Sequence, residues 1–214
     1  MSLNCGCPAA AHLADLSVAQ CKEGMGQIQK VAIQRVFKTD GEKNSVSDPS
    51  TKASFATLFS AADGSKMVVT PYLYGPESEP GAKRTFGSGN EVLGGVPIII
   101  GREATTFTAN MYEESQLTIK QMKQYMCENV GVWLIDEYGN IGCIVDDPEE
   151  PTTYMPIPIG SLFIGDKKLG GYENPDSNAI EWNFYPNWSD NFYIIKNETM
   201  DFNPLSDWVN VASV

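Results

Sequence analysis

Histidine occurs once among the 214 residues, at position 12 in an alanine-rich stretch. A Ser-His-Asp or Cys-His constellation would have to use that one ring, and a short terminal helix holds a general base too loosely for the task. Cations are scarce as well. Fifteen Lys and Arg stand against 27 Asp and Glu, a net charge of −12. Adjacent basic residues occur only as Lys83-Arg84 and Lys167-Lys168, too few to track a phosphate backbone. No apolar run approaches the ~20 residues that cross a bilayer. The opening residues, Met1-Ser2-Leu3-Asn4-Cys5-Gly6-Cys7-Pro8, carry neither the basic region nor the apolar stretch of a secretory signal. The expectation is a protein kept in a reducing cytoplasm or released only by lysis.

Five cysteines are an odd set for a disulfide framework. Cys5, Cys7 and Cys21, with His12 between them, have the right chemistry for a metal but not the C-x₂₋₄-C spacing of structural zinc sites. They read as ordinary reduced thiols, and no metal or cofactor is expected. Cys127 and Cys143 sit in apolar patterns and read as small core residues.

What the chain does have is enough apolar content, 42%, for one large domain or two small ones with a real core. Its charge is unevenly placed. Residues 1–107 hold ten cations and ten anions, whereas residues 108–214 hold five and seventeen. Residues 9–20 suit a short helix. Residues 27–37 alternate as a half-buried strand, and Phe55, Leu58, Phe59 and Ala62 form a helical stripe over residues 51–62. Residues 66–74 read as a strand that Pro71 pushes toward an edge. Residues 75–95, rich in Gly and Pro, read as a long loop, which in a compact domain is usually functional or ordered by a partner.

Strands are expected at 96–100 and 104–112, and a helix at 113–129 with Ile119, Met122 and Met126 on its apolar stripe. A hairpin follows, residues 130–136 and 141–146, with Trp133 and Ile135 on one face and Val132 and Leu134 on the other, a pattern for a strand covered on both sides. Further strands are expected at 161–169, 179–185 and 191–196. The expected organisation is an N-terminal helix/strand extension (1–60), a β-rich core (61–205) and a short tail (206–214). The fold class is α+β, mainly β.

The remaining catalytic option is a carboxylate pair, as glycoside hydrolysis uses. Asp136, Glu137, Asp166, Glu173 and Glu181 are the candidates, with Trp182, Trp188, Tyr185 and Tyr193 as sugar-stacking rings; the same aromatics also suit a plain β core. Asp146, Asp147, Glu149 and Glu150 invite calcium, but the alternating loop motif is missing and two prolines fit a solvated connector. Residues 87–95 fail the spacing of both phosphate-loop motifs. Two sequons, at Asn187 and Asn197, carry no weight without secretion.

From position 96 the order of segments is strand, strand, helix, then the hairpin Gly131-Val132-Trp133-Leu134-Ile135-Asp136-Glu137-Tyr138-Gly139-Asn140-Ile141-Gly142, then Gly160-Ser161-Leu162-Phe163-Ile164-Gly165-Asp166-Lys167-Lys168. This order resembles structural proteins of tailed phages of gut Bacteroidales, including the crAss-like group, and among them ring-forming subunits of the tail or of the region below the portal. The Asn4-Cys5-Gly6-Cys7-Pro8 opening is similar to proteins from the same source.

The resemblance spans roughly residues 60–205 and implies a tail-tube-like β-sandwich or barrel with a flanking helix and a long extended loop. It further implies a non-enzymatic homo-oligomeric ring in the virion tail, assembled in the host cytoplasm. Such a ring joins other tail or portal proteins and surrounds a channel through which DNA passes without specific binding, and it touches no membrane. Acidic channel walls repel phosphates over a Debye length of ~8 Å. On this reading Lys83, Arg84, Phe86, Trp188, Phe202 and Trp208 are interface residues. The alternative is a carbohydrate-binding or carbohydrate-active β-sandwich built on Trp182, Trp188 and Tyr185.

Overall fold

The computed structural model describes residues 24–87 and 89–210. Along the chain run β1 (Ile28–Arg35), α1 (Lys52–Ser60), β2 (Met67–Val69), β3 (Tyr74–Glu79), β4 (Lys83–Phe86), β5 (Ile98–Arg102), β6 (Thr105–Tyr112) and α2 (Gln116–Gln124). Then come β7 (Val130–Asp136), β8 (Ile141–Val145), β9 (Tyr154–Met155), β10 (Ile157–Ile164), β11 (Ser177–Phe184), β12 (Phe192–Ile195) and α3 (Pro204–Asp207). The fold is α+β and mainly β, as the alternating patterns predict. Ten strands form one antiparallel network, and β4 with β5 forms a separate two-stranded sheet.

Strand β7 is the hub. One edge pairs with β1 along its length; the other pairs with β8 near the end of the strand and with β10 near its start. From β10 the hydrogen bonds run on to β11, β6 and β3. On the other side β1 pairs with β2, and residues 70–73 keep bonding to β1 through Thr70 N–H to Val31 O (2.9 Å) and Leu73 N–H to Gln29 O (2.7 Å) before the chain enters β3. The two ends of the path therefore meet, and the strands form a closed circuit.

Because side chains alternate along a strand, the circuit has an inside and an outside. Val31, Ile33, Phe107, Met111, Val132, Leu134, Ile159, Ile180, Trp182 and Phe184 fill the inside, and Ile119 and Met122 of α2 join them. The opposite face of β1, β7 and β8 carries Ala32, Trp133, Ile135, Ile141 and Cys143, covered by Phe55 and Phe59 of α1 and by Phe202 and Trp208. Phe55 is the centre of that second core. Its ring meets Trp133 edge-on at 5.6 Å and lies 4.8 Å from Trp208 and 5.7 Å from Phe202.

Several sequence expectations change. The boundary at residue 60 disappears, because β1 pairs with both β7 and β2, and α1 caps the second core. Within the expected 206–214 tail, Trp208 is buried in the second core, and residues 211–214 lie outside the described residues. Residues 75–95 are not one long loop: they contain the last strand of the circuit, β3, and the first strand of the separate hairpin, β4. Helix α2 starts later than expected. Glu113 has a left-handed φ of 55°, and Ser115 caps the helix by accepting the Thr118 N–H at 3.1 Å. The expected strand over 161–169 starts instead at Ile157 and bulges near Gly160, so Pro158 sits inside it. The helix expected over 9–20 lies outside the described residues.

Trp133 anchors the second core from the hub strand. It is fully buried, and its indole N–H donates to buried Gln34 Oε1 at 3.1 Å. Trp133→Ala removes the ring and leaves that oxygen without a donor, so it should lower unfolding free energy by about 3–5 kcal/mol, measured by urea denaturation; a loss under about 1 kcal/mol would contradict this packing.

Candidate functional site

The most distinctive surface is the arm made by β4 and β5. Its ladder pairs Lys83 with Arg102, Arg84 with Gly101, Thr85 with Ile99 and Phe86 with Ile98, with a bulge between the second and third pairs. At its root the Glu103 N–H donates to Ala82 O at 2.9 Å, and the Arg102 guanidinium donates to Asn187 Oδ1 at 3.0 Å. Gly81 permits this pinch: a Cβ there would lie 2.0 Å from the Glu103 carbonyl oxygen. At the tip Gly94 turns the chain with a φ of 79°.

The arm's apolar side chains are turned to solvent. Leu93 is fully exposed, Val96 is 70% exposed, and Phe86, Ile99 and Ile100 are each about half exposed. None of these five belongs to either core. A two-stranded hairpin on its own is marginally stable in water, and contiguous exposed apolar residues on a folded chain mark an interaction surface. Lys83, Arg84 and Phe86 lie together on this arm, all exposed.

The other three expected interface residues do not join them. Phe202 and Trp208 are buried in the chain's own second core, where they shield Phe55, so they form no free surface. Trp188 is half-buried; it stacks on Phe184 at 4.4 Å and its indole N–H donates to Thr105 Oγ1 at 3.3 Å. The stacking platform proposed for sugars also comes apart, because Trp182 is fully buried against Phe107, with centroids 4.1 Å apart. Tyr185 alone of that trio is exposed.

The carboxylates have structural partners. Asp136 is fully buried at the end of β7, where Oδ1 accepts the Tyr138 and Asn140 N–H groups (2.9 and 2.8 Å) and Oδ2 accepts Gly26 N–H (2.9 Å) and Asn140 Nδ2 (2.8 Å). Glu137 accepts the Gln27 N–H at 3.3 Å. Asp166 pairs with Lys123, whose hydrogen bond and charge hold its pKa below the usual carboxylate range. Glu173 is exposed in the β10–β11 connection. Glu181 lies on the outer face of β11, opposite Thr108, which in turn faces Glu77 of β3. In the acidic connector, Asp146 accepts the Thr152 hydroxyl at 2.5 Å and the Thr153 N–H at 2.9 Å, which pull its pKa down.

Burial raises the pKa of the Cys143 thiol, and Cys127 is exposed. Cys5, Cys7, Cys21 and His12 lie outside the described residues. Among the described residues no three His, Cys, Asp or Glu side chains converge as metal ligands, and no helix is long and apolar enough to cross a membrane.

One site went unnoticed in the sequence. Lys120 and Lys123 of α2 and Lys167 of the β10–β11 connection line one cleft. Their separation of more than forty positions in the chain hides it; the helical spacing of the first two was the available signal.

Fold and surface together describe a mainly β chain with a closed strand circuit and a projecting apolar hairpin. No family model, curated protein or solved structure matches it.

Two predictions follow from these placements. Phe86, Ile99 and Ile100 touch neither core, so changing all three to Ser should shift unfolding free energy by no more than about 0.5 kcal/mol per site in dilute solution by urea titration. A loss of several kcal/mol would show that the arm belongs to a core. Asp146 has a folded pKa below its unfolded value near ~3.9, so its contribution is present above that pH and is lost as pH falls toward the folded value. Asp146→Asn should therefore flatten the fall of the urea midpoint below about pH 4; an unchanged acid profile would contradict the role of these bonds.

Proposed function

We propose that this chain is a non-enzymatic structural subunit that assembles with copies of itself into a ring in the tail or portal–tail connector of a tailed phage. The observation that carries the reading is the arm. Five large apolar side chains stand in solvent on a hairpin arm whose root is hydrogen-bonded to the body through Arg102 and Asn187. Burying them against a neighbour yields roughly 25 cal/mol per Å² of apolar area, and it gives the hairpin the third layer it lacks.

The tail-tube-like resemblance of the segment order points the same way, with the circuit as a rigid body and the arm as its connector. The arm reaches the next subunit and carries geometry; the body edges supply the rest of the roughly 800 Å² per partner of a standard interface. The acidic excess of residues 108–214 suits a wall that DNA passes without adhering. The partners are other copies of the chain and neighbouring tail or portal proteins, and the setting is the virion, assembled in the host cytoplasm.

The test removes the arm alone. Ala82 and Glu103 are hydrogen-bonded at its root, so residues 83–102 can be replaced by two glycines without stretching the circuit. The expected result is rings with a central hole for the full chain in negative-stain micrographs, and a folded monomer by sedimentation for the deletion. Rings that survive the deletion would reject the arm's role, and a full chain that stays monomeric at every concentration would reject the ring.

A further inference from the structure

Residues 108–214 contain five cations, and four of them gather at one place. Lys120, Lys123 and Lys167 line a cleft of about 500 Å³ between α2 and the β10–β11 connection, with Lys168 next in the chain. The lining includes one carboxylate, Asp166, which is committed to Lys123. Lys167 reaches Asp176 only at 3.9 Å and the Glu114 carbonyl at 3.4 Å. Lys120 is exposed and has no ion pair among the described residues.

Asn178, 2% exposed, also lines the cleft. Its Nδ2 donates to the Gly165 carbonyl at 3.1 Å, which fixes the amide and leaves Oδ1 without a donor. That oxygen is itself buried, so what the cleft selects is set by its three lysines against one carboxylate, a site that calls for added negative charge. Phosphate groups and carboxylates both supply it. A peptide bearing several carboxylates spreads it over more than one lysine.

Such a peptide exists on the same chain. The connector between β8 and β9 exposes Asp147, Glu149 and Glu150, and none of the three has an ion pair among the described residues. Pro148 and Pro151 restrict it, and Asp147 Oδ1 accepts the Glu149 N–H at 2.9 Å, so little conformational freedom remains to be lost on docking. Asp146 ties its base to Thr152 and Thr153. The connector precedes β9, whereas the cleft lies beyond the far end of β10, and no connector residue lines the cleft.

We propose that the lysine cleft receives the acidic connector, residues 147–150, of a second copy of this chain. The contact is head-to-tail, since cleft and connector are different surfaces, and a head-to-tail contact closes into a ring when its rotation permits. It deepens the ring reading and rests on it for the identity of the occupant.

Charge reversal tests the contact. K120E/K167E and E149K/E150K are made in the full chain, checked by circular dichroism for a native fold, and sedimented at about 0.1 M salt, where the Debye length is ~10 Å. Each variant alone faces like charge at every contact and should associate roughly tenfold more weakly than wild type or not at all. Their equimolar mixture pairs Glu clefts with Lys connectors and Lys clefts with acidic connectors, so it should regain the wild-type assembly.

Undiminished assembly of both variants, with dissociation on removal of the arm, would overturn the contact and leave the ring reading in place. Failure of the mixture to recover while both variants are folded would also overturn it. Loss of binding to a short DNA duplex by K120E/K167E, with assembly unchanged, would reassign the cleft to phosphates. A monomeric wild type would overturn both readings.

Discussion

The structure depends on the double burial of one strand. Every residue of β7, from Val130 to Asp136, is buried, which requires a layer of protein on each face and a paired neighbour on each edge. Val130, Val132 and Leu134 point into the circuit, while Trp133 and Ile135 point into the second core. Removing either layer would expose a row of large apolar side chains. The strand ends where Asp136 gathers four hydrogen bonds, from the turn after it and from Gly26 ahead of β1. That carboxylate fixes the hairpin and docks the start of β1 together. Its burial is structural, which removes the most conspicuous carboxylate from the list of catalytic candidates.

The two cores also explain where the aromatics went. Phe55, Phe202 and Trp208 seal one face of the hub, and Phe107, Trp182 and Phe184 pack inside the circuit. Of the rings that resemble a sugar platform in the sequence, Trp182 is consumed by folding, Trp188 is half-buried and Tyr185 stays exposed. Among the apolar side chains that folding leaves exposed, Leu93, Val96, Ile99 and Ile100 lie with Phe86 on the arm, beside Lys83 and Arg84.

Local pattern made much of this legible. The opposite parities of Val132/Leu134 and Trp133/Ile135 predict a strand covered on both faces, and the Phe107, Ala109, Met111 alternation predicts a half-buried one; both are observed. The spacing of Phe55 and Phe59 likewise marks the buried side of α1. Long-range pairing was not legible. Nothing near β1 announces that it lies along β7, about a hundred positions away, so residues 24–60 look separable when they are integral. The glycines and prolines of 75–95 mask two short strands, because β3 and β4 have mostly exposed faces and therefore no hydrophobic period. The lysine cleft was hidden for a related reason: α2 and the β10–β11 connection meet only once the circuit is closed.

The proposed ring makes the arm an unfinished sheet that another copy of the chain completes. Amide hydrogen exchange of residues 83–102, followed from dilute to concentrated protein, tests it most directly. Fast exchange of the arm is expected in the monomer, with protection that rises with concentration, while amides of β7 stay protected throughout. Arm amides that exchange at the same rate at every concentration would contradict it.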